Sequence, residues 1–325
     1  MKNFVKIAAL LVIGAAISPS EADAEWPEKP VKLVVPFAAG GAADLIARAV
    51  QKGITDGDFM DEPLTIVNVP GHYSMGMRQV KDATPDGYSF ALIQIALMAG
   101  EVSEVIDFGY RDYEPVATIG SLCEAIGVRE DLEAGTLDDL LNMAAEKPSA
   151  LIAGVNLGAL NHTAMLIVEA LRPGAAFRYV QTGGDAKSYA ALAGGHTDVA
   201  AMAAGAAIAY THVDGKPIDN SGIRLLAYTG PERSDQLPEV PTLKELGYDA
   251  EFCIDMWVFA PRGTPEEAVD GFAQVLRSSI ETEVVKGILH KQAVVPKFLA
   301  GEEMASDLDN KWEMIVPIAK RAAGQ

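Results

Sequence analysis

Short apolar runs alternate with segments of helical periodicity along most of the chain. The first run spans residues 31–37, and after it Leu45, Ile46 and Ala49 recur at helical spacing. Such alternation is typical of a parallel β-sheet with helices on both faces. The predicted strands are residues 31–37, 64–68, 88–95, 116–128, 151–155, 177–181, 198–203, 224–228 and 256–260, and further helices are predicted over 75–83, 138–145, 159–171, 186–193, 265–281 and 301–323.

The first 24 residues have the pattern of an export signal. Lys2 and Lys6 precede an apolar run over residues 7–17, and Ala22-Asp23-Ala24 offers a cleavage site with small residues. The run is too short to cross a bilayer, which needs about 20 residues. We therefore expect cleavage near Ala24 and a mature protein that works in the periplasm, where disulfides can persist.

The composition is that of a globular protein with one large or two medium domains. The chain has 325 residues, of which 49% are hydrophobic and 22% are charged, so it can bury a sizeable core. Its formal net charge of -19 argues against nucleic acid or an anionic membrane surface as a partner. We interpret the acidity as a source of solubility and expect the acidic residues to lie outside any anion-binding cleft.

Cys123 and Cys253 are the two cysteines of the chain, and no Cys or His spacing suggests a zinc site. One disulfide and two buried free thiols fit these two cysteines equally well. No metal and no cofactor is predicted.

Residues 35–44, VPFAAGGAAD, join a strand end to a helix through two adjacent glycines. The first N–H groups of a helix are free and lie at its positive end, so this turn can bind an anion. Glycine lets a ligand approach the backbone and accepts positive φ. Asp44 fits the third helical position, where it can satisfy the helix cap. A tight turn without a ligand explains the glycines as well, and neither the dinucleotide nor the phosphate-loop motif is present.

The same chemistry recurs in the second half of the chain. Thr182-Gly183-Gly184 again ends a predicted strand and opens a helix, so two such loops in two domains could face each other. A third loop, with Gly158, starts a helix near Asn161 and offers an amide and the imidazole of His162. The structural alternatives are a helix cap for Asn161 and a surface or hydrogen-bonded position for His162.

Seven segments, taken in order, resemble the periplasmic solute-binding proteins of tripartite tricarboxylate transporters, the Bug-type receptors. Between Trp26 and the C-terminus these are WPEKPVKLVVPFAAGGAAD, VNVPGHYSMG, ATPDGYSFAL, the segment around LNH, TGGDAKSYAALAGGHTDVA, LPEVPTLKELG and FAPRGTPEEAVD. The resemblance implies an α/β fold like that of type II periplasmic binding proteins: a Venus flytrap of two α/β domains joined by two hinge crossings. After a signal peptide of residues 1–24, residues 25–120 and 230–325 would form domain I and residues 121–229 domain II.

The resemblance also implies where a small carboxylate would bind, because residues 36–44 and Gly183-Gly184 match the two loops whose backbone amides hold the ligand. Three departures from the family pattern, at Gln181-Thr182, Ala159 and Met202-Ala203, remove polar groups and predict a less polar acid. The candidate ligand-binding residues are Phe37, Ala38, Ala39, Gly40, Gly41, Asp44, Gln94, Ala159, Asn161, His162, Thr182, Gly183, Gly184 and Asp185.

A flytrap with two crossings would place its hinge strands side by side, and residues 116–128 and 252–260 are the best candidates. Cys123 and Cys253 would then lie near each other, and a bridge requires their Cα atoms within about 7 Å.

The resemblance implies a receptor that captures a small carboxylate and delivers it to the large and small membrane subunits of a tripartite permease, with a monomer expected. A sensor of the same fold would share the capture step. An enzyme is disfavoured, because no G-x-S-x-G elbow, HExxH motif or Asp-rich metal run appears.

Overall fold

The computed structural model describes residues 26–157, 160–183, 185–213 and 216–322, so the predicted signal peptide lies outside the described residues. The strands are β1 (Val31–Val35), β2 (Leu64–Asn68), β3 (Ser89–Ile93), β4 (Tyr113–Arg129), β5 (Ile152–Val155), β6 (Arg178–Gln181), β7 (Val199–Ala203), β8 (His212–Val213), β9 (Lys216–Pro217), β10 (Ile223–Tyr228), β11 (Cys253–Pro261), β12 (Val294–Val295) and β13 (Leu299–Ala300). The helices are α1 (Ala42–Gly57), α2 (Tyr73–Lys81), α3 (Ala96–Val102), α4 (Leu137–Glu146), α5 (Leu160–Ala170), α6 (Asp185–Ala193), α7 (Ala204–Thr211), α8 (Glu266–Ile280), α9 (Glu283–Lys291) and α10 (Gly301–Ala322).

Every predicted strand lies in one curled sheet of 11 strands, in the order β2-β1-β3-β11-β4-β7-β5-β6, with β10, β12 and β13 also paired to β4. The strands β1, β2 and β3 are parallel to one another, as are β5, β6 and β7. Between these groups, β11 runs antiparallel to β3 and β4, and β4 runs antiparallel to β7. The two central strands therefore join two parallel halves, and the predicted α/β flytrap fold is confirmed.

The central strands are buried on both faces, which explains their almost unbroken apolar sequence. All nine residues of β11 are buried, as are residues 116–128 of β4. At their flanks, local signals set the helix ends. Thr136 caps α4 and exchanges hydrogen bonds with Asp139, as the predicted cap required.

Several elements differ from the sequence-based prediction: α7, β8, β9, β12 and β13 were not predicted. Strand β1 and helices α3 and α9 differ as well. Strand β1 ends at Val35 instead of residue 37, because Pro36 has no N–H to donate and the Phe37 amide turns back to the Val35 carbonyl at 2.8 Å. Helix α3 was not predicted, since it is a 7-residue segment. Helix α9 was not predicted either, although Thr282 caps it by accepting from the Val285 amide.

Cys123 and Cys253 form a disulfide between directly paired positions of β4 and β11, with their Cα atoms 4.1 Å apart. The disulfide that the sequence left open is therefore present. It ties together the two strands that join the halves of the sheet.

A buried ion cluster lies next to the disulfide. The Asp255 carboxylate on β11 accepts hydrogen bonds from Ser121 on β4 and from Lys297, the latter at 2.8 Å, and Lys311 of α10 approaches it to 3.4 Å. Burial alone would raise the pKa of Asp255, but the ammonium groups of Lys311 and Lys297 outweigh burial and hold that pKa below its usual value.

Within the described ranges, no helix combines the length and the apolar character needed to cross a membrane.

Candidate functional site

A cavity of about 490 Å³ opens between the two parallel halves of the sheet. It lies where β1, β2, β3 and β5 end, which is the edge where open α/β sheets usually bind ligands. Its polar lining consists of His72, Tyr73, Gln94, Ser103, Asn156 and Thr163. Its larger apolar lining residues are Phe37, Ile95, Val105, Leu157 and Leu160.

None of the described lining residues is Asp, Glu, Lys or Arg. Two apolar residues, Val105 from one half and Leu157 from the other, line it while remaining 61% and 53% exposed. The described lining therefore carries no Asp, Glu, Lys or Arg charge, and it offers an apolar wall from each half.

The first glycine loop has the predicted backbone. Gly41 caps α1, and Gly40 has φ +83°, a left-handed conformation that glycine adopts without strain. The Asp44 carboxylate accepts from the Gly40 amide at 2.8 Å, from Arg48 at 3.0 Å and from Asn68 at 3.0 Å. Burial raises the pKa of Asp44, but these hydrogen bonds more than offset it, so the pKa is lowered.

Asp44 therefore holds the loop in shape, and its oxygens are already bonded within the protein. Its bond to the Gly40 amide, one residue before the Gly41 cap, braces the start of α1, and contact of Asp44 with a ligand stays a prediction. Phe37 is the one residue of the predicted loop set that lines the cavity. The other members, Ala38, Ala39, Gly40 and Gly41, are exposed beside it, and their contact with a ligand stays a prediction.

The second loop is also braced from within. Thr182 bonds the Val155 carbonyl at 3.2 Å and the Ser188 hydroxyl at 2.8 Å, and Gly183 has φ +115°. Gly184 lies outside the described residues. Neither Thr182 nor Gly183 lines the cavity, and contact of this loop with a ligand stays a prediction.

Asp185 begins α6 behind this loop and does not line the cavity either. Burial raises the pKa of its carboxyl, while a hydrogen bond from the Ala203 amide opposes the rise. Contact of Asp185 with a ligand stays a prediction.

The third loop reaches the cavity through residues that the sequence did not single out. Asn161 is buried inside α5 instead of capping it, and its side chain accepts from the Asn156 amide at 3.0 Å. His162 is buried edge-to-face against Tyr179, and burial lowers its pKa. Ala159 lies outside the described residues. Asn161 thus positions the loop, and Asn156 is the polar residue that lines the cavity.

Of the predicted contact residues, Phe37 and Gln94 line the cavity, and His72, Tyr73 and Asn156 were missed. His72 follows the Pro70-Gly71 break after β2, and Asn156 directly follows β5. A rule that inspects the first polar residues after each parallel strand would have found both, because these strand ends meet at one edge of the sheet.

Residues 46–318 match the family model described as tripartite tricarboxylate transporter family receptor. Among solved structures, the chain is similar to a TctC solute-binding protein from Polaromonas, with TM-score 0.78, 24% identity and coverage of 91% of this chain and 99% of that one. It is also similar to the MatC protein of Rhodopseudomonas palustris with bound malate, with TM-score 0.70, 20% identity and coverage of 92% and 100%. A protein of the same organism with adipate gives TM-score 0.70, 23% identity and coverage of 92% and 99%. These structures share the fold of the chain.

Proposed function

The chain belongs to the tripartite tricarboxylate transporter receptor family, and from this premise we propose that it captures a small carboxylate anion between its two halves and delivers it to a tripartite membrane permease. The observation that carries the proposal is the cavity at the strand ends, with polar side chains but no acidic residue in its described lining. A carboxylate entering it meets hydrogen-bonding groups without a repelling charge.

The size and walls of the cavity favour a small acid with an apolar body. Its volume of about 490 Å³ falls in the usual range for small-molecule sites. Phe37, Ile95 and Leu160 contribute apolar surface, in keeping with the less polar acid expected from the sequence. Two proteins of the same fold hold dicarboxylates, malate in one and adipate in the other.

Capture is proposed to end in closure of the two halves about β4 and β11. The cavity takes lining residues from both halves, so a bound acid adds contacts that favour the closed state. In this proposal residues 25–120 with 230–325 form one domain and residues 121–229 the other. The mature receptor, cut near Ala24, works as a monomer in the periplasm, and the membrane subunits recognise its loaded form.

A thermal-shift and calorimetric screen of the signal-free protein tests the capture step. The probes are adipate, malate and benzoate, with the neutral adipamide as the matched control for adipate. A ligand that binds the folded state raises the melting temperature by mass action. We expect at least one acid to raise it and adipamide to leave it unchanged. If no acid shifts the melting temperature and a neutral or cationic solute does, the carboxylate assignment is wrong.

A further inference from the structure

Gln94 lines the cavity with one end of its carboxamide already used. Its Oε1 accepts from the Ala96 backbone amide at 2.7 Å. A backbone N–H can only donate, so this bond fixes which end of the carboxamide is oxygen. The side-chain N–H groups of Gln94 have no partner among the described residues, and they remain available to an acceptor in the cavity.

Asn156, from the other half of the molecule, also has its oxygen bonded to the protein. Its carboxamide orientation follows from that of Gln181. The Leu157 amide donates to Oε1 of Gln181 at 2.8 Å, which leaves the Gln181 Nε2 as the donor to Oδ1 of Asn156, also at 2.8 Å. The oxygen of Asn156 is thereby occupied, while its Nδ2 has no partner among the described residues, so its two N–H groups are available to an acceptor in the cavity.

His72 is the third side chain of the cavity with a bonded acceptor and an available donor. Its Nδ1 accepts from the Ser74 amide at 3.4 Å and pairs with the Ser74 hydroxyl at 2.7 Å. The neutral ring therefore carries its proton on Nε2. The Tyr73 ring lies 4.4 Å from the imidazole, centroid to centroid, and helps to fix its orientation.

We propose that His72, Gln94 and Asn156 form a donor clamp that recognises the carboxylate of the captured acid, while Phe37, Tyr73 and Leu160 contact its apolar body. The inference rests on the proposed function and names the residues that give it specificity. In each residue of the clamp the acceptor end is bonded to the protein and the donor end is left over. The clamp therefore favours an anion over a neutral amide or an amine, and it joins the two halves because Asn156 lies opposite the other two.

Gln94→Glu and Asn156→Asp test the clamp, because each keeps the oxygen that accepts within the protein and replaces the free N–H₂ by a second oxygen. We expect each change to weaken adipate binding by about tenfold to a hundredfold, since a charge-assisted donor becomes a repelling acceptor. Gln274→Glu, on the exposed face of α8, makes the same chemical change away from the cavity and should leave adipate affinity within about twofold.

His72→Ser is a third variant that keeps an acceptor for the Ser74 amide, because Ser is a good helix cap, and it removes the Nε2–H donor of the imidazole. We expect it to weaken adipate binding by about fivefold to tenfold with an unchanged melting temperature. Malate and benzoate serve as additional probes in the same titrations.

The outcomes separate the two proposals. If wild type binds none of the three acids, the proposed function fails and the clamp fails with it. If wild type binds an acid and both acidic variants bind it within about twofold of wild type, the receptor stands and the clamp is wrong. Loss of affinity in the acidic variants but not in Gln274→Glu, with all melting temperatures equal, supports the clamp.

Discussion

Around Asp255, where β4 pairs with β11, buried polar side chains bond one another, whereas Gln94 and Asn156 of the cavity are bonded to the protein at their oxygen ends only, within the described part of the chain. Asp255 is 1% exposed and is bonded by Ser121 and Lys297. Gln94 and Asn156, in contrast, each have an oxygen bonded to the protein and unpaired N–H groups at the cavity.

The difference shows how one sheet supports two tasks. Pairing around Asp255 stabilises the contact between β4 and β11, since breaking a buried pair leaves an uncompensated charge. Partial pairing orients the donors of the cavity without satisfying them, so a ligand can complete the bonds. The proposed closure needs both, because the halves would move about a stable pair of strands.

The largest expected effect comes from removing the disulfide between β4 and β11 with the double substitution Cys123→Ser and Cys253→Ser. The disulfide spans 130 residues of sequence, and loss of a bridge over so long a loop should lower the free energy of unfolding by about 4 kcal/mol. Urea unfolding with and without the bridge measures the loss.

Adipate titration of the same variant, under conditions where it is fully folded, sharpens the comparison. The cavity contains neither cysteine, so affinity should stay within about threefold of wild type. A loss of affinity as severe as that of Asn156→Asp would show that the disulfide between β4 and β11 also affects the geometry of the cavity.

Not every buried polar atom of β4 and β11 is paired: Thr118, Glu124 and Trp257 each have one without a partner in the described residues, and Glu124 is the ionisable residue among them. Glu124 lies on β4. It is 3% exposed, and its Oε2 has no hydrogen-bond partner in the described part of the chain. Burial, followed by the charge of Asp185, raises the pKa of Glu124 to about 8. The folded protein therefore keeps a proton that the unfolded chain releases near its ordinary pKa of 4.5.

Glu124→Gln should remove this pH dependence. Because the folded pKa is the higher one, the contribution of Glu124 to stability is intact at acid pH and is lost as pH rises toward about 8. Between about pH 5.5 and 7.5, the free energy of unfolding of the variant should rise relative to that of wild type by up to about 1.4 kcal/mol for each pH unit. Urea unfolding at several pH values measures the slope, and parallel curves for the two proteins would mean that Glu124 is not protonated in the fold.

The smallest expected effect is at the loop beside the cavity. Gly40→Ala should lower the free energy of unfolding by about 1 kcal/mol, because alanine disfavours φ +83° although no atom lies within 4 Å of the added Cβ. Gly287→Ala is the matched control, since its added Cβ also meets nothing within 4 Å, but the residue lies in α9. That change should stabilise the protein by about 0.5 kcal/mol. Equal effects of the two substitutions would contradict the backbone explanation.

Much of the fold was predictable because it depends on local patterns. The predicted strand over 64–68 and the cap at Thr136 agree with the structure, since side-chain periodicity and capping act over a few residues. Helix α3 was missed because 7 residues are too few for a helical period to stand out. The role of Asp44 at the third helical position was also predictable, and only its partner Asn68 required the fold.

The sequence alone determined the α/β alternation, the family and the expectation of an anion site at strand ends, since these depend on the residue order within short segments. The tertiary structure decided that Cys123 pairs with Cys253 and that His72, Gln94 and Asn156 line one cavity. It also decided which end of Asn156 is free, because that depends on Gln181 in a neighbouring strand. The physical reason is that a side chain's remaining hydrogen-bonding capacity is set by neighbours in space, which sequence distance does not reveal.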